Sequence, residues 1–286
     1  MKVFHLDCGT MYPPGGKLLN QSPAKIVCHC LLIETAEHLI LVDAGVGTAD
    51  MQDIRRLGPM RFLLNLKRDV NDTAAEQVKR LGYRTADVRH IMITHLDLDH
   101  AGGLPDFPQA AVHVLQPEYA AAMNPKHFKE RERYRRCHFT HDPQWVVYDT
   151  AAQEEWFGLK CIAEDNRLPE GVVLVPLPGH TRGHCGVAVK TPDRWLFHAG
   201  DAYYHERRME RSGGCTPGFI AFEYFAHINH RLAMQQVDRL LNLVNGHQDA
   251  VDVFCTHDPL EFEQLSALPA GAPVNGTKGT GKAHNF

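Results

Sequence analysis

The chain of 286 residues has 44% hydrophobic residues and a formal net charge of −4 from 30 basic and 34 acidic side chains. That length and apolar content allow one large or two modest globular domains with a sizeable core. A slightly acidic chain has no overall positive field to attract nucleic acid, and no apolar stretch approaches the roughly eighteen residues that a membrane span needs. We therefore expect neither partner. The amino-terminal segment lacks a long apolar signal region, which predicts a cytoplasmic protein.

Strand and helix signals alternate along the first half of the chain. KVFHLD, KIVCHCLLIE and HLILVDAG are short, β-rich and bounded by turn residues, which predicts three consecutive strands. TAAEQVKRLG has Thr73 as a cap, Glu76 in the first turn and a stop at Gly82, which predicts a helix. VRHIMITH and AAVHVLQ predict buried strands, and PEYAAAM predicts a short helix. A polar helical region follows to about Arg136, and its KERERYRR run predicts a solvated helix face.

Strand and helix signals also alternate along the second half of the chain. Further strands and turns are expected between Trp145 and Val175, and GVAVKT and RWLFHAGD predict a strand pair. NHRLAMQQVDRLLNLV has an amphipathic helical period, and AVDVFCTHD predicts a last strand. Two halves with strands first and helices outside predict two sheets packed face to face, with helices on both outer faces.

The stretch THLDLDH, from Thr94 to His100, follows an apolar run directly with two histidines and two aspartates. Two close carboxylates repel and raise each other's pKa, and a divalent cation removes that repulsion. LPGHTRGHCG, FHAGDA and FCTHD each present one further donor after a predicted strand. The alternative is a solvated acidic turn. The candidate ligands are enough for two metals that share one carboxylate, namely His95, Asp97, Asp99, His100, His180, Asp201 and His257.

The histidine and cysteine usage bears on the kind of metal. Nineteen histidines are many for this length, and several of them lie beside Asp or Gly. Eight cysteines are scattered without a CxxC pair, so we expect free thiols, with Cys185 a small buried residue of its strand. Imidazole and carboxylate without thiolate suit Zn, Fe or Mn and exclude a structural Cys-type zinc site.

The motif order LVDAG, THLDLDHAGG, PGHTRGH, AGDA, THD resembles the metallo-β-lactamase superfamily of metal hydrolases over nearly the whole chain. This resemblance implies an αββα four-layer sandwich of two mixed sheets, with a dinuclear metal site at one edge. We expect a single domain of this kind over residues 1–268, and the polar, Gly-rich composition of residues 269–286 predicts a flexible tail. The resemblance also implies that Asp43 is a buried acid supporting the ligand loops. The implied ligands of the first metal are His95, Asp97 and His180; those of the second are Asp99, His100 and His257, and Asp201 bridges the two.

One position departs from the family pattern His-x-His-x-Asp-His, because Asp97 stands where the second histidine is usual. Asp97 could ligate through a carboxylate oxygen, leave the first site weak and the enzyme mononuclear, or be a hydrogen-bond partner of the ligands. Di-iron flavoproteins of the superfamily carry a carboxylate here, so we expect ligation and two bound metals. Zn is the first expectation, and the harder ligand makes Fe or Mn compatible.

The expected reaction follows from such a site. Two cations can hold a bridging hydroxide that attacks the carbonyl of an ester or lactone, with Asp99 orienting it and protonating the leaving oxygen. Tyr204, in AYY after Asp201, resembles the tyrosine that faces the substrate carbonyl in N-acyl homoserine lactonases. It could donate to the developing oxyanion, or be an ordinary half-buried aromatic residue. We therefore expect a metal-dependent hydrolase of a small molecule, with a lactonase favoured.

Alternatives stay open at this point. A glyoxalase-II-like thioesterase or another ester hydrolase would use the same ligands, and a non-catalytic metal-binding sensor or partner protein would use them without chemistry. Met11 to Gln21 could form a flap beside the site. RRCHFTHDPQW could line a pocket, although its His138 and His141 fit surface positions better. The aromatic run GGCTPGFIAFEYFAH could cover an acyl group or another subunit, so a homodimer is compatible with the sequence.

Overall fold

The computed structural model describes residues 1–14, 25–151, 154–163, 165–210 and 215–268. The predicted tail, 269–286, and the greater part of the predicted flap lie outside these ranges. The single-domain boundary at residue 268 therefore stays a prediction. Within the described ranges, no helix combines the length and the apolar character that crossing a membrane requires.

One mixed sheet has six strands among the described residues, in the order β1-β2-β3-β4-β5-β6. β1, β2 and β3 pair antiparallel, whereas β3 to β6 run parallel. The carboxyl ends of β3 and β4 therefore meet at one edge, which carries Asp43 and the segment from Thr94 to His100. The strands are β1 Lys2–Asp7, β2 His29–Glu34, β3 Leu39–Val42, β4 Val88–Met92, β5 Ala111–Leu115 and β6 Gln144–Tyr148.

A second sheet contains four strands of the described chain, in the order β12-β11-β10-β9. β10 is antiparallel to both neighbours and β11 is parallel to β12, so β9, β11 and β12 end at the same edge. His180, Asp201 and His257 follow those three strand ends. The strands are β9 Val172–Pro176, β10 Cys185–Lys190, β11 Trp195–His198 and β12 Val251–Phe254; β7 Glu154–Trp156 and β8 Leu159–Cys161 form a separate antiparallel pair.

The helices lie on the outer faces of the two sheets. The predicted amphipathic helix is confirmed as His230–His247, α8, whose buried residues recur every three or four positions. The predicted cap of Ala74–Arg80, α3, is also confirmed, because the Thr73 side chain accepts a hydrogen bond from the Glu76 amide at 3.4 Å. The α-helices of the described residues are α1 Thr48–Gln52, α2 Met60–Leu64, α3 Ala74–Arg80, α4 Leu98–Ala101, α5 Gln116–Met123, α6 Phe128–Arg133, α7 Pro217–Ala226, α8 His230–His247 and α9 Pro259–Ser266.

Three buried apolar clusters correspond to the three interfaces of an αββα sandwich. Along β2, Leu31 and Ile33 pack between the sheets, while Cys30 and Leu32 face the helical layer. This alternation follows from the two-residue period of a strand, and burial of both faces explains why the strand is apolar throughout. The predicted four-layer fold is confirmed.

The solvated helix face predicted for KERERYRR is wrong for part of that run. Arg131 is exposed, but Glu130 and Tyr134 are buried and the Arg133 side chain is only 13% exposed. Glu130 accepts a hydrogen bond from Arg182 at 2.8 Å. Tertiary partners therefore draw these polar side chains inward, which a charge pattern within the run itself does not reveal.

Several histidines are buried between strands, and their protonation should control stability. His113 on β5 lies 2.7 Å from the Tyr148 hydroxyl and 2.9 Å from His90 Nδ1. Burial lowers the pKa of His113 to about 3, and burial together with His198 lowers the pKa of His5 to about 4. The unfolded chain, with histidine pKa values near 6.5, binds more protons below that pH, so stability is lost on acidification.

We expect the free energy of unfolding, measured by urea titration with circular dichroism, to fall by a few kcal/mol between pH 7 and pH 4, at about 1.4 kcal/mol per unit of pKa shift. His113→Phe should lower stability at pH 7, because Tyr148 and His90 lose a partner, yet reduce the loss on acidification. The exposed His247→Gln should keep the wild-type dependence. Identical pH profiles for wild type and His113→Phe would contradict this assignment.

Candidate metal centre

The seven predicted ligands lie together at the edge shared by the two sheets. His180 Nε2 is 3.1 Å from Asp97 Oδ2, and His95 Nε2 is 3.5 Å from the same oxygen. Across the cluster, His257 Nε2 is 3.1 Å from Asp201 Oδ2. The last two candidate ligands, His100 and Asp99, complete the cluster. His100 Nε2 lies 3.4 Å from Asp201 Oδ1, and Asp99 Oδ2 lies 3.6 Å from His257 Nε2. Strand ends that are remote in sequence thus deliver one side-chain cluster.

The ligand atoms converge in three groups, each with all its atoms within 4.8 Å of one another. One group is His95, Asp97 and His180, the set implied for a first metal. His100 converges with His95 and Asp201, whereas Asp99 and His257 converge with Cys28. The structure therefore groups the remaining donors differently from the implied second set and adds a thiol to them.

The donor set fits divalent metal ions. Four of its buried atoms have no hydrogen-bond partner among the described residues: His95 Nε2, Asp97 Oδ1, His100 Nε2 and Asp201 Oδ1. A buried polar atom without a partner costs roughly 1–3 kcal/mol, so four in one cluster indicate a missing common partner. Imidazole nitrogen and carboxylate oxygen are ligands that Zn, Fe and Mn accept.

Hydrogen bonds from Nδ1, the ring nitrogen that points away from the cluster, fix the ring orientation of two histidines. His100 Nδ1 donates to Asp43 Oδ2 at 2.8 Å, and His257 Nδ1 donates to the Val27 carbonyl at 2.7 Å. Both Nε2 atoms are thereby left as lone-pair donors facing the cluster. Asp43 also accepts hydrogen bonds from the Thr94 amide at 2.7 Å and hydroxyl at 2.8 Å, so one buried carboxylate joins β3 to the ligand segment.

Asp201 is held by a turn that requires glycine. Gly200 has φ +58, and a Cβ there would lie 2.5 Å from His184 Nε2. That nitrogen accepts the Asp201 amide at 2.9 Å, while His184 Nδ1 donates to the Leu177 carbonyl at 3.0 Å. Burial alone would raise the pKa of Asp201, but His257 and His100 hold it well below its usual range. The carboxylate is therefore ionised and ready to bind a cation.

Glu118 is a buried residue of the centre that sequence analysis missed. Its Oε1 accepts the Leu96 amide at 2.9 Å, and its Oε2 accepts the Thr181 hydroxyl at 2.6 Å and the Gly183 amide at 3.0 Å. Glu118 therefore joins the segment that carries His95 to the one that carries His180. PEYAAAM was assigned to a helix, and nothing in that pattern marks its glutamate as buried.

Arg133, at the end of α6, is the second missed residue. Its Nη1 contacts Asp97 Oδ2 and lies 3.0 Å from His180 Nε2, and its Nη2 donates to the Ala226 carbonyl. Burial would raise the pKa of Asp97, but Arg133 and His95 hold it well below its usual range. The position where the chain departs from the family motif is thus paired with a guanidinium.

Tyr204 is buried beside the ligands. Its hydroxyl donates to Asp201 Oδ2 at 3.1 Å and lies 3.1 Å from His180 Nδ1. Its ring stacks on His257, with centroids 5.5 Å apart and planes 2° from parallel. Burial and the Asp201 charge raise the pKa of Tyr204 well above its usual range, so the phenol keeps its proton at neutral pH.

A cavity of about 590 Å³ ends at this cluster. Asp97, Asp99, His180, Asp201 and His257 form its polar end, together with Tyr204, and α2, α6 and α7 supply apolar walls. The apolar lining residues include Met60, Leu63, Leu64, Phe128, Phe222 and Phe225. α6 also contributes charged side chains to the lining, namely Lys129, Glu132 and Arg133.

Two predictions about the lining residues have different outcomes. Phe222, Phe225 and Ala226 of the aromatic run GGCTPGFIAFEYFAH line the cavity, and a cover over an acyl group stays a prediction. His138 and His141 are not among the described lining residues. The expected surface position of His138 is wrong, because it is buried with Nε2 2.8 Å from Asp50 Oδ2.

Known proteins are similar to this chain in sequence and fold. The profile of the metallo-beta-lactamase superfamily matches residues 25–245. A probable metallo-hydrolase of Mycobacterium tuberculosis is 41% identical over 261 residues, covering 91% of this chain and 81% of the relative. An N-acyl homoserine lactonase of Bacillus thuringiensis is 28% identical over 259 residues, covering 89% and 88% of the two chains.

Solved structures give the same result for the fold. The structure of an N-acyl homoserine lactone hydrolase with the product N-hexanoyl-L-homoserine bound at its catalytic metal centre has a TM-score of 0.68 to this chain. Its sequence is 23% identical, and the match covers 92% of this chain and 95% of that one. From the family match and the shared fold, the chain belongs to the metallo-β-lactamase superfamily of metal-dependent hydrolases.

Proposed function

We propose that this hydrolase opens lactones or cleaves esters that carry an apolar acyl chain, with N-acyl homoserine lactones as the favoured class. The observation that carries the proposal is the cavity, which has largely apolar walls and ends at the candidate metal ligands. A volume of about 590 Å³ is within the usual range for small-molecule sites. The 28% identity to the N-acyl homoserine lactonase over most of both chains supports the same class.

The centre would hold two divalent ions, with Zn expected first and Fe or Mn compatible with the carboxylate of Asp97. His95, Asp97 and His180 would hold one ion, while Asp99, His100 and His257 would serve the other and Asp201 would be shared. When bound, the metals supply Lewis acidity at the substrate carbonyl and activate water near neutral pH.

The protein's own groups would then orient the substrate and move the proton. Tyr204 can rotate its O–H from Asp201 toward the carbonyl oxygen and donate as negative charge develops there. Asp99 lines the cavity and its side chain is 13% exposed, so its carboxylate can accept the proton of the attacking water and pass it to the leaving oxygen. No serine or cysteine nucleophile is needed.

A thioesterase for glutathione conjugates has less support. That alternative would use basic side chains after Asp201, yet Arg208 donates to the buried Glu223 at 3.1 Å and is only 15% exposed. The two basic side chains that line the cavity also have protein partners, because Lys129 donates to the Phe225 carbonyl at 3.1 Å and Arg133 contacts Asp97. Thioesters of simple acyl chains remain a second substrate class to assay.

The purified protein should hydrolyse N-acyl homoserine lactones, lose the activity on chelation and regain it with added Zn. Longer acyl chains should lower KM, because more apolar surface is buried against α6 and α7 at about 25 cal/mol per Å². A panel of lactones, esters, thioesters and phosphodiesters checks this by pH-stat or chromogenic assay. A protein that binds metal but hydrolyses none of the panel would favour the non-catalytic sensor.

Tyr204→Phe should lower lactone kcat by roughly a hundredfold to a thousandfold, the range for loss of one oxyanion donor, with unchanged metal content. Because the ring and its stacking on His257 are retained, the fold should be unaffected. Phe222→Leu, which alters a cavity wall, is the matched control and should change KM more than kcat. Unchanged turnover in Tyr204→Phe would remove the hydroxyl from the mechanism.

Arg133 should weaken the first metal site. His180 Nε2 has one lone pair, which cannot serve both the Arg133 guanidinium 3.0 Å away and a cation. We expect wild type to bind two metals per chain with unequal affinity, and Arg133→Met to tighten the weaker site about tenfold or more, a change of 1.4 kcal/mol or more. Isothermal titration and elemental analysis of metal-depleted protein measure this.

The control for that experiment is Arg131→Met, an exposed arginine of the same helix, which should titrate like wild type. Saturation of wild type at one metal per chain would contradict the dinuclear centre. Two equally tight sites in wild type would contradict the competition by Arg133.

A further inference from the structure

Cys28 lies at the metal-binding edge although no motif of the sequence marks it as a ligand. It directly precedes β2, which runs antiparallel to β3, so this end of β2 lies beside the carboxyl end of β3. The side chain is fully buried. Its Sγ, a carboxylate oxygen of Asp99 and a ring nitrogen of His257 are all within 4.8 Å of one another.

The backbone around Cys28 is fixed relative to His257. The Cys28 amide donates to Asp7 Oδ1 at 3.1 Å, and its carbonyl accepts the Cys8 amide at 2.8 Å. The preceding carbonyl, that of Val27, accepts His257 Nδ1 at 2.7 Å. The hydrogen bond that directs His257 Nε2 into the centre is therefore made by the peptide next to the thiol.

Gly9 gives the sulfur its space. A Cβ at that position would lie 3.3 Å from Cys28 Sγ and 2.9 Å from Val46 Cγ2, and the φ of +152 also favours glycine. Any side chain at residue 9 would press on the thiol. The fold itself therefore forms the space that Cys28 Sγ occupies.

A buried thiol beside a carboxylate and an imidazole has the composition of a zinc-binding group. Thiolate sulfur and imidazole nitrogen are the commonest zinc ligands, and a coordinating thiol loses its proton outright. Cys30, two residues further along, is buried in the same apolar cluster under the helices as Cys28. The two cysteines differ in that only Cys28 converges with candidate metal ligands among the described residues.

We propose that Cys28 is a thiolate ligand of the second metal, together with Asp99 and His257. On binding, the S–H bond breaks, its proton leaves to solvent and a metal–sulfur bond forms. The inference deepens the proposed metal centre and rests on it. It also makes the two sites chemically unlike, since sulfur at the second favours Zn whereas the Asp97 carboxylate at the first favours harder ions.

Two measurements on the full chain test the proposal. Zn-loaded wild type should show a sulfur scatterer at about 2.3 Å in X-ray absorption, the usual Zn–S distance. Protein reconstituted with Co²⁺ alone should show a thiolate-to-cobalt charge-transfer band in the near ultraviolet. Cys28→Ser should lose that band, and Cys30→Ser should keep it.

The outcomes separate this inference from the proposed function. Bound Zn with only nitrogen and oxygen scatterers, or a band that persists in Cys28→Ser, overturns the role of Cys28 and leaves the hydrolase untouched. Wild-type protein that binds no metal overturns both. If Cys28→Ser fails to fold, the absorption experiment on wild type still decides the question.

Discussion

The rest of the structure depends on four buried polar atoms at the meeting of two sheet edges, which have no hydrogen-bond partner among the described residues. Their burial is costly, and we expect the surrounding fold and a bound cation to offset that cost. Asp43, Glu118 and His184 support these atoms. Each of the three side chains accepts a hydrogen bond from a backbone amide in a segment that carries candidate ligands. Folding and metal binding are therefore expected to be coupled in this chain.

The sequence predicted best what is local. Strand ends followed by His or Asp gave seven candidate ligands, which the structure brings together, and Thr73 and α8 followed ordinary capping and periodicity rules. Glu118 and Arg133 were missed because their partners lie far away in the chain: Glu118 meets Thr181, and Arg133 meets Ala226. The convergence of Cys28 with Asp99 and His257 was missed for the same reason. A pattern within one segment cannot show such partners. The expectation of a centre without thiolate also came from the local motifs, which contain only His and Asp as ligand types.

Asp97 illustrates how a departure from a motif is balanced elsewhere. Replacing a neutral imidazole by a carboxylate adds a negative charge to a buried cluster, which would be costly without a partner. Arg133 supplies the opposite charge from another helix and reaches Asp97 and His180 together. Asp97 and Arg133 are therefore best understood as one feature, and we expect the affinity of the proposed first metal site to depend on both.

The same arginine connects the ligand cluster to the cavity walls. Arg133 ends α6 and donates to the carbonyl of Ala226 at the end of α7, while Lys129 of α6 donates to the neighbouring Phe225 carbonyl at 3.1 Å. Phe128 and Phe225, on these two helices, line the cavity. At the proposed first metal site, a cation that displaces Arg133 from His180 would alter one of these two hydrogen bonds. We therefore expect metal occupancy to change how α6 and α7 pack against each other.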